Sequence, residues 1–175
     1  VCSSDLKRRR GKCGMHKQKP SVRPVISSCG SFSEIFSIYL DEVLKKFAQK
    51  VLAPYIISAD QLVCKLSSKF PTPISNGVYM FSIDAVGMYS NIDTKHALIT
   101  IKEFIKRYAH QIPDTLIPTK FILSCLKTVM TMNIFEFGDT FWKQKNGTAM
   151  GTRCAVNYAF LYMGMLEMIK LVEDS

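Results

Sequence analysis

The sequence predicts a mixed α+β fold, a small antiparallel sheet packed with helices, on three observations. Apolar residues recur at helical spacing in several segments. Residues 78–84 alternate as a strand should. A Gly-Asp pair at 138–139 separates two short β-like runs. With 175 residues, 47% of them hydrophobic, the chain is long enough for one domain with a buried core.

Residues 1–20, VCSSDLKRRRGKCGMHKQKP, show no periodicity and read as an unstructured basic arm. That arm is either native to the domain or an unrelated leader. The folded domain is expected over 21–175. Residues 21–30, SVRPVISSCG, are short and β-like, with Arg23 inside. At SFSE, Ser31 as N-cap and Glu34 three residues on form a capping box. Ile35, Ile38, Tyr39, Val43, Leu44 and Phe47 then make an apolar stripe, bounded by Pro54. A short helix is expected around 59–69, and PTPISNG at 71–77 is a loop. In the strand 78–84, Tyr79, Phe81 and Ile83 share the face expected to pack on helices, and Asp84 lies on the other. A helix follows over 94–109, carried by Leu98, Ile101, Ile105 and Tyr108. Another runs over 118–132 with Pro118 at its start. IFEF-GD-TFWKQK is a hairpin. GTAMGTR leads into a last helix bearing Val156, Ala159, Phe160, Met163 and Leu166 at helical spacing. No internal repeat is present.

The formal charge of +9 is uneven. Residues 1–30 hold eight Lys/Arg against one acid, whereas 31–175 hold fifteen against thirteen. The basic signal therefore belongs to the arm, which reads either as a nucleic-acid contact or as a solvated tail. Six scattered cysteines favour reduced thiols and an intracellular protein. Cys13 and His16 lack a second closely spaced pair to complete a zinc site. No signal peptide and no apolar run of about 18 residues occurs.

Asp84 closes an apolar run, where a carboxylate either caps a turn or binds a hard cation. Gly87 lets the chain turn, which would bring Tyr89 to the same site; otherwise Tyr89 is a core residue. Asp93 and Thr94 precede a helix, and Asp93 serves most simply as its N-cap. In NGTAMGTR (146–153), Gly147 and Gly151 bracket three residues before a helix, allowing close backbone approach to a ligand. No GKS or GKT follows, so this is not a Walker loop. Lys143 and Lys145 alternate beside Trp142, either along a phosphate path or as guards of a hairpin edge.

SVRPVISSCGS, FSIDAVGMYSNID and KNGTAMGTRCAVNYAFLYMGMLE, in that order and with the hairpin before the last, resemble the reverse transcriptase domain of Penelope-like retroelements. The resemblance runs from about Lys19 to Ser175. It implies the fingers and palm of a right-handed polymerase, a nucleotidyltransferase that copies RNA into DNA in a retrotransposon. By this resemblance Asp84 is the first catalytic, magnesium-binding aspartate, with manganese as a substitute ion. Arg23, Tyr89, Asn146 and Gly147 are nucleotide-binding; Tyr89 would lie beneath the incoming sugar and exclude a 2′-hydroxyl. Lys143, Lys145, Gly151 and Thr152 are template-binding. Asn146 replaces a frequent glutamine, and Val156 a usual proline. The family's palm also needs a pair of adjacent aspartates after the long helix, and no Asp-Asp pair occurs in these 175 residues. The thumb and the family's C-terminal endonuclease are likewise not present. The chain alone is therefore expected to be inactive. The implied partners are RNA template, DNA primer and deoxynucleotides, with no membrane, and the implied location is the nucleus. The competing readings are a non-catalytic nucleic-acid-binding remnant, or a structural domain in which Asp84 caps a turn.

Overall fold

The computed structural model describes residues 7–14, 21–26, 28–52, 56, 58–70, 79, 81–112, 118–137 and 139–173. The predicted loop at 71–77 and Pro54 lie outside the described residues. Along the chain come β1 (Lys7–Gly14), β2 (Ser21–Ile26), α1 (Glu34–Val51), α2 (Ala59–Lys69), the single turn α3 (Met88–Asn91) and α4 (Thr94–Tyr108). After a short 3-10 turn at 109–111 follow α5 (Thr119–Thr131), β3 (Ile134–Phe137), β4 (Thr140–Lys143) and α6 (Ala155–Glu173). The mixed α+β class is thus observed. No described helix is long and apolar enough to cross a membrane.

Four helices build the core. α1 packs on α5 and α6, and α4 packs on the same two. Leu44, Ile101, Phe104, Ile105, Leu126, Tyr158 and Leu161 are completely buried there. Each fully buried Leu, Ile or Phe stabilises the fold by about 1.5–3 kcal/mol. Phe104 stands edge-on to Phe47 at 6.1 Å between ring centroids and tilts against Tyr108 at 4.8 Å.

The ends of these helices follow local chemistry. Asp93 Oδ1 accepts from the backbone N–H groups of Lys95 and His96 at 2.8 and 2.9 Å, as an N-cap should. Ser58 Oγ caps α2 by accepting from Gln61 N. At α1 the expected capping box is displaced. Ser33 occupies the N-cap position, and Glu34 Oε2 accepts from Gly30 N at 2.7 Å. Glu34 thus stabilises the preceding turn instead of closing on Ser31, whose hydroxyl meets that of Ser33 at 2.9 Å.

The buried face of α1 also differs from the expected stripe. Ile35 and Ile38 are exposed, whereas Ser37, Leu40, Val43, Leu44, Phe47 and Ala48 are buried. The helix rolls to bury Ser37, whose Oγ accepts from Cys154 N at 3.3 Å. Counting apolar residues alone misses a small polar side chain that pairs across the interface. On α6 Val156 is likewise exposed, and Ala155, Tyr158 and Ala159 face inward.

The sheet has the order β2-β1-β3-β4. β1 pairs antiparallel with β2, placing Lys12 opposite Arg23, and β3 pairs antiparallel with β4 across the predicted hairpin. β1 and β3 run parallel, with Lys7 opposite Phe135, so the expectation of a purely antiparallel sheet is corrected at one pairing. Over residues 7–14 the expectation of an unstructured arm is corrected too. A strand forms there because backbone from the neighbouring β2 and the distant β3 satisfies its N–H and C=O groups, and backbone pairing leaves no periodic trace in the strand's own side chains.

The largest departure is the segment 78–84. Its described residues, 79 and 81–84, form no strand. Tyr79, Phe81 and Ile83 are 89%, 81% and 85% exposed, so no aromatic face packs on the helices. A strand needs a neighbour to pair with. None of the four paired strands pairs with its described residues.

Candidate nucleotide and template site

The geometry converges on the loop 146–152. Gly147 adopts φ +75, in the left-handed region. A Cβ at this position would fall 2.7 Å from Tyr89 O and 2.9 Å from Ser90 Cα. Only glycine lets the two backbones come this close. Thr148 N–H donates to Tyr89 O at 2.7 Å, and Thr94 Oγ1 donates to Gly147 O at 3.2 Å. On its other side the loop meets the segment after β2: Ser28 N and Oγ both donate to Gly151 O, at 3.4 and 3.2 Å. Two stretches remote in sequence thereby meet at one loop. Thr148 is buried, and its Oγ1 has no hydrogen-bond partner among the described residues.

Gly87 turns the chain as its position suggests, with φ 59 and ψ 35 at the N-cap of α3. The turn is held by Ser90 Oγ donating to Gly87 O at 2.8 Å and Asn91 Nδ2 donating to Val86 O at 3.0 Å. It carries Tyr89 onto the helical core, where the ring is half-buried. Burial pushes the Tyr89 hydroxyl above its ordinary value, so it stays protonated at neutral pH.

The predicted site residues fall into distinct groups. Tyr89, Asn146, Gly147 and Gly151 belong to the convergence just described. Asn146 is exposed, and its carbonyl accepts from Gln144 Nε2 at 2.9 Å. Lys145 and Asn146 line a polar cleft of about 410 Å³, facing Ser90, Asn91, Asp93 and Lys95. Lys143 is exposed at the end of β4, opposite Ile134. Thr152 is 4% exposed at the start of α6, where its carbonyl accepts from Ala155 N, so it has almost no surface to offer a template. Arg23 lies in β2, and its side chain is outside the described part of the structure.

Asp84 makes no contact with this loop among the hydrogen bonds described. It is exposed, in a segment without regular structure. No cluster of three or more His, Cys, Asp or Glu able to hold a metal ion occurs among the described residues. Magnesium takes oxygen ligands, and two-ion catalysis needs carboxylates shared between both ions. The residues described here do not make up such a centre by themselves.

Sequence reasoning missed Ser28 and Thr94 as the groups that fasten the loop, and Lys95 as a wall of the cleft. Thr94 follows the Asp93 cap, which hides its second role. Asp93 itself is held below its ordinary carboxylate value, first by the His96 N–H bond and further by that of Lys95, as a cap requires. No family model matches the chain, and no curated protein or solved structure matches it either.

Proposed function

We propose that the chain is the fingers and palm portion of an RNA-directed DNA polymerase of the Penelope-like kind. One observation carries the reading: the GTAMG loop gathers the segment after Arg23 and the segment bearing Tyr89, through Ser28–Gly151, Thr148–Tyr89 and Thr94–Gly147. The sequence resemblance assigns these same three stretches to one nucleotide site.

In the intact enzyme a primer 3′-hydroxyl attacks the α-phosphorus of a deoxynucleotide and pyrophosphate leaves. This chain's share is positioning. The Gly147 approach fixes the loop beside Tyr89, whose ring, with its hydroxyl protonated, would bound the sugar. Lys143 and Lys145, both exposed, would lie along the template phosphates. The carboxylates that complete a metal centre must come from outside these 175 residues, since the sequence holds no adjacent aspartate pair.

That no cluster of three or more metal-ligating side chains occurs among the described residues favours a second reading for the chain alone, a nucleic-acid-binding unit without synthesis. Both readings predict binding of a primer–template hybrid that weakens with salt and no synthesis by this chain alone; primer extension separates them only in a protein that also supplies the missing carboxylates. The test of the shared claim is the affinity of the Lys143→Glu/Lys145→Glu variant. A steep loss is expected, with a reduced salt slope. Unchanged affinity would remove the template role.

A further inference from the structure

α4 and α5 together carry six Lys/Arg and a single carboxylate, Glu103. Glu103 is already engaged, with Oε1 3.4 Å from Lys106 Nζ. Outside the first 30 residues the chain holds fifteen Lys/Arg against thirteen acids, so this is a local concentration of positive charge. Between the two helices runs a groove of about 550 Å³. Leu98, Ile99 and Leu123 form its apolar surface, and Lys95, Lys102 and Lys127 stand around it. No Asp or Glu lines it among the described residues. Ile99 is 62% exposed on a helix whose Ile101 and Ile105 are completely buried. Lys95 also faces the Asp93 carboxylate. Lys102 and Lys127 have no ion-pair partner among the described residues.

An apolar surface ringed by cations asks for a ligand that is apolar in the middle and anionic at its flanks. A polynucleotide fits poorly: bases stack on aromatic rings, and this surface is aliphatic. Phosphates pressed on leucine and isoleucine would lose water without gaining a donor. We propose that the groove docks an acidic amphipathic helix of a protein partner. Its apolar stripe would cover Leu98, Ile99 and Leu123, and its carboxylates would reach Lys102 and Lys127 from the two walls. Lys95 and Lys102 are two turns apart on α4, about 10 Å, which matches anchors at i, i+3 or i+4, and i+7 of a partner helix. None of these residues belongs to the loop 146–152; Lys95 alone also borders the polar cleft beside it, and the inference rests on Lys102, Lys127 and Ile99, which do not.

The test titrates the full chain against a fluorescent synthetic peptide with leucines at i, i+3, i+4 and i+7 and glutamates between them. A second peptide has the same composition with its leucines spread evenly, and a labelled single-stranded RNA is the third probe. The amphipathic peptide is expected to bind at least about tenfold more tightly than the scrambled one, the loss typical of misplaced anchors. Lys102→Glu/Lys127→Glu and, separately, Ile99→Asp each weaken it by about tenfold or more while thermal unfolding is unchanged. Equal binding of the two peptides, binding by neither, or full binding by both variants would overturn the proposal. So would RNA that binds more tightly than the peptide through the same two lysines.

Discussion

Gly147→Ala tests the loop geometry at its tightest point. The residue has φ +75, and the new Cβ would meet Tyr89 O at 2.7 Å, Ser90 Cα at 2.9 Å and Ser90 O at 3.0 Å. All three are backbone atoms, so no side chain can rotate away. The left-handed conformation costs an L-residue about 1–2 kcal/mol. Relieving the clash must move the loop off Tyr89 and stretch the 2.7 Å bond from Thr148 N, worth about 1 kcal/mol more. The expected loss is about 2–3 kcal/mol. Gly87→Ala is the internal comparator. It has φ +59, but its nearest neighbour is the Ser90 hydroxyl at 3.1 Å, which can turn. Its loss is about 1–2 kcal/mol, the conformational part alone. Urea unfolding followed by circular dichroism reads both, and a slope unchanged from the parent makes the midpoints comparable. If Gly147→Ala were no more destabilising than Gly87→Ala, the close approach of loop and Tyr89 would be refuted.

Phe104→Ala removes a fully buried ring that touches Phe47 and Tyr108 and is expected to cost about 3–5 kcal/mol in urea unfolding; a loss of only a few tenths of a kcal/mol would contradict the helical core. Asp93 has a depressed folded-state value, so its contribution is fully present above its ordinary 3.8 and is lost as pH falls through the lower folded value. Asp93→Asn keeps a capping oxygen but not the charge, so its unfolding midpoint should fall less than the parent's on acidification from 3.8 through the lower folded value; identical acid profiles would exclude the cap charge. Asp84→Asn is expected to leave the midpoint unchanged, because the side chain is exposed. A clear destabilisation would make Asp84 a structural turn residue.

Legibility in the sequence followed the range of the interactions. α4 and α5 were readable because Asp93, Pro118 and the spacing of Ile101 and Ile105 are local signals. The hairpin was readable from two β-like runs around a tight turn. The face of α1 was not, because Ser37 earns its buried position only through Cys154, far along the chain. The alternation at 78–84 described a surface that suits a strand but carried no information about a neighbour to pair with. β1 shows the reverse case, a lysine- and arginine-rich run paired on one side by the next strand and on the other by β3, far along the chain. In the site, Gly147 announced a special backbone position, and Gly87 announced the turn toward Tyr89. What glycine spacing does not state is which chain passes close by. The Thr148–Tyr89 and Ser28–Gly151 contacts exist only once the helices have packed.

The central claim is that the loop 146–152 and Tyr89 face a nucleic acid and its incoming nucleotide. Photo-crosslinking of an RNA template annealed to a DNA primer, with the reactive base at the primer end and the attached residues mapped, measures this most directly. The account predicts attachment at Tyr89 and within 143–146, competed by unlabelled hybrid. Attachment confined to the basic residues 7–12, or spread over the surface without competition, would contradict it.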